Sequence, residues 1–157
     1  MLKKYLFIFF LSMVPIIELR GAIPFAVNWE LNYWTSLTVC AIGNMLPVPF
    51  IYFFARKILH WGADKQYIGK FFRFCIEKGE RGGQKLTARA GRGGLFVALM
   101  LFVGIPVPGT GAWTGTLAAS FLNMGIRSTV TAVSLGVVIA GIIMGVASTG
   151  VFSIFGI

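Results

Sequence analysis

Ile105-Pro106-Val107-Pro108-Gly109-Thr110-Gly111-Ala112-Trp113-Thr114-Gly115 interrupts an apolar stretch that carries no charge from Gly93 to Ile126. That stretch is too long for one crossing of a ~30 Å hydrocarbon core and too short for two crossings joined by a turn. Its two prolines and its glycines cannot continue a helix and supply a tight turn. Each arm is then about 20 Å long, two-thirds of the core. Arg92 and Arg127 flank the two ends, which puts both on one side of the bilayer. A re-entrant hairpin satisfies these limits, provided its irregular backbone is buried in protein or lines a water-filled cavity.

The composition demands a membrane reading. Of 157 residues, 57% are hydrophobic and 12% charged, and the mean hydropathy is +0.82; soluble domains hold roughly 45–50% apolar residues even counting Gly. A water-soluble globule and a disordered chain are both excluded. The net charge of +9 does not point to nucleic acid, because ten of the fourteen Lys and Arg residues fall between Arg56 and Arg92. Basic residues gathered beside apolar spans mark the cytoplasmic face and meet anionic head groups. Cys40 and Cys75 have neither disulfide nor metal-ligand spacing.

The remaining segments follow from the same rules. Leu31–Ala55 reads as a span that enters through the aromatic, base-free Asn28–Trp34 and leaves at Arg56 and Lys57. Ile68, Phe71, Phe72 and Cys75 recur at helical spacing opposite Lys65, Lys70, Arg73 and Lys78, an interfacial amphipathic helix. Gly79, Gly82, Gly83, Gly91, Gly93 and Gly94 are expected to form a flexible return to the bilayer. Thr129–Ile157 is a second charge-free span, in which Gly141 and Gly145 either admit a second helix, as in a homodimer, or are small residues merely tolerated there.

Tyr5–Ile17 follows Lys3 and Lys4 but lacks a small-residue cleavage pattern, so it is kept as structure. Beyond it lies Pro15-Ile16-Ile17-Glu18-Leu19-Arg20-Gly21-Ala22-Ile23-Pro24, a second Pro/Gly-interrupted turn. Gly21 takes the place that Gly111 holds in the other half. If this turn is also re-entrant it opens to the other side, giving an inverted repeat of hairpin plus span within one membrane domain: 1–55, the basic segment 56–92, and 93–157. The competing reading makes Tyr5–Phe25 a plain span with Glu18 and Arg20 paired at its outer interface.

Glu18 and Arg20 are the chemistry-bearing pair. At bilayer depth each costs about 3 kcal/mol when unpaired, and two residues apart they converge only on unwound backbone. Glu18 is then a proton- or cation-binding carboxylate, and Arg20 neutralises it or binds an anionic group such as phosphate. Half-helices beginning near Pro24 and Ala112 would aim N–H groups at the same region. Gly21, Asn44, Pro108, Gly109, Thr110, Gly111, Trp113 and Thr114 complete the expected site; tight helix packing is the alternative for Gly111 and Gly115, and Asn44 reads equally as a bridge between helices. His60, the single histidine, sits beside Trp61 as an interfacial anchor, and no metal, Ser-His or nucleotide-binding constellation is present.

The Pro15–Pro24, Gly43-Asn44-Met45-Leu46-Pro47-Val48-Pro49-Phe50 and Ile105–Gly115 motifs together resemble the putative small multi-drug export protein family over nearly the whole chain. That family is similar in architecture to the DedA/VTT superfamily, which implies opposed re-entrant hairpins and transport of a lipid-carrier phosphate or lipid scrambling. DedA-type second hairpins carry arginines where this chain has Thr110 and Trp113. The resulting expectation is an all-α, multi-pass cell-membrane transporter, not an enzyme and without a cofactor. It is coupled to protons or sodium and moves an amphiphilic or lipid-phosphate-like substrate. A cationic-drug exporter and a non-transporting scaffold on anionic lipid are the alternatives.

Overall fold

A computed structural model describes residues 1–15, 17–65, 67, 69–107 and 110–155. Every element among them is a helix: α1 Leu2–Met13, α2 Glu18–Asn28, α3 Tyr33–Met45, α4 Val48–Ala63, α5 Gly69–Gly104, α6 Ala112–Phe121 and α7 Ile126–Phe155. Two rods are long and apolar enough to cross a membrane, Tyr33–Ala63 and Ile126–Gly150.

Proline chemistry sets the first break. Pro15 disfavours the helical conformation for the residue before it, and Val14, at ψ 129°, ends α1 in extended backbone. Pro24, however, does not open a helix: α2 begins at Glu18 and Pro24 lies inside it. The first long rod is broken at Leu46-Pro47, and α4 restarts with Pro49 in its first turn, where a missing N–H costs nothing. It runs on to Ala63, past Arg56 and Lys57, so the basic residues mark no helix end. The expected glycine-rich return is also helical, since α5 runs through Gly79, Gly82 and Gly83 and is interrupted only at Gly91, at φ 71°, a left-handed value that glycine adopts at little cost. Phe71 is exposed on this helix, Lys78 lies over the Phe74 ring, and Arg81 pairs with Glu77. Ile68 and the side chains of Phe72 and Cys75 lie outside the described residues.

The same backbone events occur twice, 93 residues apart. After α2 the Leu31 N–H reaches the Ala26 carbonyl and the Glu30 N–H that of Val27; after α6 Met124 reaches Ala119 and Asn123 reaches Ser120. Both are Schellman closures, with Glu30 and Asn123 left-handed at φ 54° and 56°. Gly43 and Gly136 share the interval, and each admits a first-arm carbonyl: a Cβ would lie 2.6 Å from the Phe9 oxygen at the former and 2.7 Å from the Met100 oxygen at the latter. The interval sets Glu18 opposite Gly111 and Arg20 opposite Trp113. It replaces the pairing of Gly21 with Gly111, which are 90 apart.

Packing follows the same exchange. α1 packs on α3 and α5 on α7 within each half, while α2 packs on α7 and α6 on α4 between halves. The core joins Ile8, Leu19, Ile23, Cys40, Val103, Ala112 and Val133 from both halves. Outside it Phe10, Phe50, Phe53, Phe54 and Val146 are exposed, a surface suited to lipid rather than water. Gly141 and Gly145 are not open to a second copy: a Cβ at Gly141 would lie 2.2 Å from Leu37 Cδ1, and one at Gly145 2.3 Å from the Tyr33 ring. The Tyr33 hydroxyl donates to the Gly141 carbonyl at 3.0 Å, which closes this face inside the chain.

Candidate functional site

The second break leaves two sets of backbone groups without helical partners: the last carbonyls of α5 and the first amides of α6. Both are answered by α2. The Glu18 carboxylate accepts from the Ala112 N–H through Oε2 and from the Trp113 N–H through Oε1, each at 3.1 Å. A carboxylate at a helix N-terminus also meets the positive end of the helix dipole. Glu18 is only 5% exposed and holds a left-handed φ of 51°. Such backbone strain on a non-glycine residue costs of order 1–3 kcal/mol and persists only where the surroundings dictate it.

Gly111 makes this approach possible. A Cβ there would lie 2.1 Å from Glu18 Oε2, so any side chain would push the carboxylate out. Two residues after Glu18, Arg20 turns to the other set of groups. Its Nη2 donates to the Val103 carbonyl at 2.9 Å and to that of Ile105 at 3.2 Å. Its Nη1 donates to the Val107 carbonyl at 2.6 Å and to Thr110 Oγ1 at 2.9 Å. A planar fork with five donors suits several fixed oxygens at once, and a cation at a helix C-terminus is favoured by the dipole.

The second half returns one such bond. Trp113, 93 positions after Arg20, donates Nε1–H to the Met13 carbonyl at 3.2 Å, closing the end of α1. The Thr110 hydroxyl lies within 3.0 Å of the Ile105 and Val107 carbonyls. The Thr114 hydroxyl reaches the Gly111 carbonyl at 3.4 Å, and buried Thr116 donates to Ala112.

Glu18, Arg20, Thr110, Gly111 and Trp113 are therefore one cluster. No ion pair joins Glu18 to Arg20 among the described residues; each serves a different helix end. Gly21 lies against Ile17, where a Cβ would meet Cγ2 at 2.3 Å. Asn44 is 2% exposed with Oδ1 unpartnered among the described residues, and no described bond ties it to the cluster. Pro108 and Gly109 lie outside the described residues. Sequence reasoning missed the carbonyls of Met13, Val103, Ile105 and Val107, because backbone acceptors carry no side-chain signature. It also missed the tie between α4 and the second corner, where the Tyr52 hydroxyl bonds the Met124 carbonyl and Arg56 bonds Asn123 Oδ1.

A family model described as "Putative small multi-drug export protein" matches residues 18–143. The match begins at the carboxylate that joins the two breaks and covers most of the chain, which belongs to that family. No curated protein and no solved structure matches the chain. Family and apolar helices together describe a helical membrane protein.

Proposed function

We propose that this chain is a small ion-coupled membrane exporter of amphiphilic cations, built as two re-entrant hairpins in an inverted repeat. Glu18 is its coupling group. The family description supports the transport class. Backbone features repeating at 93 residues support two hairpins. The opposite character of the corners, Trp29, Glu30 and Trp34 against Arg127, supports their opening to opposite sides, with 56–92 cytoplasmic.

The observation that carries the mechanism is the buried Glu18 carboxylate, held by the two amides that open the other hairpin. Protonation removes the charge that makes these bonds strong and favoured by the dipole. α6 is then free to part from α2 and to expose the acid to the opposite side. A cationic substrate competes with the proton for the same carboxylate, so binding of one expels the other. Arg20 acts as the clasp on the far end of the break, keeping the hairpin folded while Glu18 changes partners. Its donors are engaged by three carbonyls and a hydroxyl, which favours a carboxylate-centred cycle over lipid-phosphate capture by Arg20.

Proteoliposomes under an imposed pH gradient test this. The wild type accumulates a lipophilic cation such as tetraphenylphosphonium against its gradient. Glu18→Gln, which cannot exchange a proton, loses coupled uptake by at least about tenfold, while Glu18→Asp retains part of it. Equal pH-driven uptake by wild type and Glu18→Gln would refute the coupling role.

A further inference from the structure

The two corners differ where the fold does not require it. At the first, Asn32 caps α3 with its own side chain, Oδ1 accepting from the Thr35 N–H at 3.0 Å. Ninety-three residues on, the equivalent position is Gly125, which has no side chain to offer. Thr129 is the first residue of the second rod whose N–H finds a carbonyl, that of Gly125. The N–H groups of Ile126, Arg127 and Ser128 have no acceptor among the described residues. Such amides are anion-binding groups.

A second observation points to the same place. Gly125, Arg127 and Ser128 line a cavity of about 900 Å³ together with Arg92, Gln84 and Leu95. Arg92 follows the Gly91 kink of α5. Neither Arg92 nor Arg127 has a carboxylate or hydrogen-bonding partner for its side chain among the described residues. Among the described residues, none that lines the cavity is acidic. The lining combines two arginines and the Ser128 hydroxyl with the apolar side chains of Leu95, Leu122 and Met124. The cavity lies at the end of a helix long enough to cross a membrane, against the last turns of the basic segment at Gln84, Ala88 and Arg92.

We infer that this cavity binds the phosphate group of an anionic membrane lipid. Arg92, Arg127 and the open amides of α7 take the phosphate oxygens that Asn32 renders unnecessary at the other corner. Leu95 and its apolar neighbours receive the glycerol end, with the acyl chains in the surrounding bilayer. Neither Glu18 nor Arg20 lines the cavity, so the inference stands apart from the transport cycle.

Native mass spectrometry of the full chain, released from detergent with chain-matched phosphatidylglycerol or phosphatidylcholine, tests it; inorganic phosphate serves as the soluble arm. The wild type retains one phosphatidylglycerol per chain in preference to phosphatidylcholine. Arg92→Gln with Arg127→Gln lowers that retention by about tenfold, whereas Lys70→Gln with Arg73→Gln, an equal charge loss outside the cavity, changes it less than about twofold. Gly125→Asn keeps both arginines and fits, since nothing stands within 4 Å of a Cβ there. By supplying the missing cap it lowers retention several-fold while the helix content by circular dichroism is unchanged. Equal losses in both double variants, unchanged retention in Gly125→Asn, or equal retention of phosphatidylcholine would overturn the inference. So would millimolar inorganic phosphate being held in place of the lipid.

Discussion

The break at residues 14–17 and the break at 105–111 occupy equivalent places in the chain, yet the arm that follows the first carries an acid and a guanidinium and the arm that follows the second carries neither. α2 caps both open helix ends of the second hairpin, Glu18 on α6 and Arg20 on α5. α6 returns one indole bond to the first break, from Trp113 to Met13, and away from the breaks Ser120 donates to the Tyr52 carbonyl. The bonds that close the two breaks thus come mainly from α2. Polar bonds between helices matter in a membrane because no hydrophobic effect drives helix against helix there. An asymmetric clasp of this kind also places the buried Glu18 carboxylate and the partly buried Arg20 guanidinium at the contact between the two breaks.

That contrast can be broken by substitution. The largest effect is expected from Arg20→Ala, which strips four bonds from the end of the second hairpin; it should cost about 3 kcal/mol in reversible unfolding in detergent, with Arg20→Lys recovering only a part. A loss no larger than that of Trp113→Phe would erase the asymmetry. Gly111→Ala comes next, at about 2 kcal/mol, because its methyl would occupy the position of the Glu18 carboxylate. The smallest is Trp113→Phe, about 1 kcal/mol for a single bond to Met13, read by the same unfolding measurement and confined to the packing of α1.

Much of this arrangement was legible in the residues. Pro15, Pro106 and Gly111 announce breaks because proline and glycine act on the backbone directly. Glu18 and Arg20 stand out because charge in an apolar chain needs a reason. The parts that were not legible have identifiable causes. Arg56 marks a membrane interface and says nothing about where a helix stops, so α4 extends to Ala63. Single glycines in α5 cost a helix only about 1 kcal/mol each, which the helix tolerates. Gly141 and Gly145 announce a close neighbour without saying whose it is, and the neighbours are Leu37 and Tyr33 of the same chain. Glu18 and Arg20 each pass over the other because unpaired backbone groups lie within reach, and no pattern of side chains encodes those.

The central claim is that the first hairpin holds the start of the second through one carboxylate. Amide hydrogen exchange at Ala112 and Trp113, compared between the wild type and Glu18→Ala in the same detergent, tests it most directly. The account predicts exchange at least about tenfold faster at these two amides in the variant, with the amides of Ala118 to Phe121 unchanged. Equal protection of Ala112 and Trp113 in both proteins would contradict it.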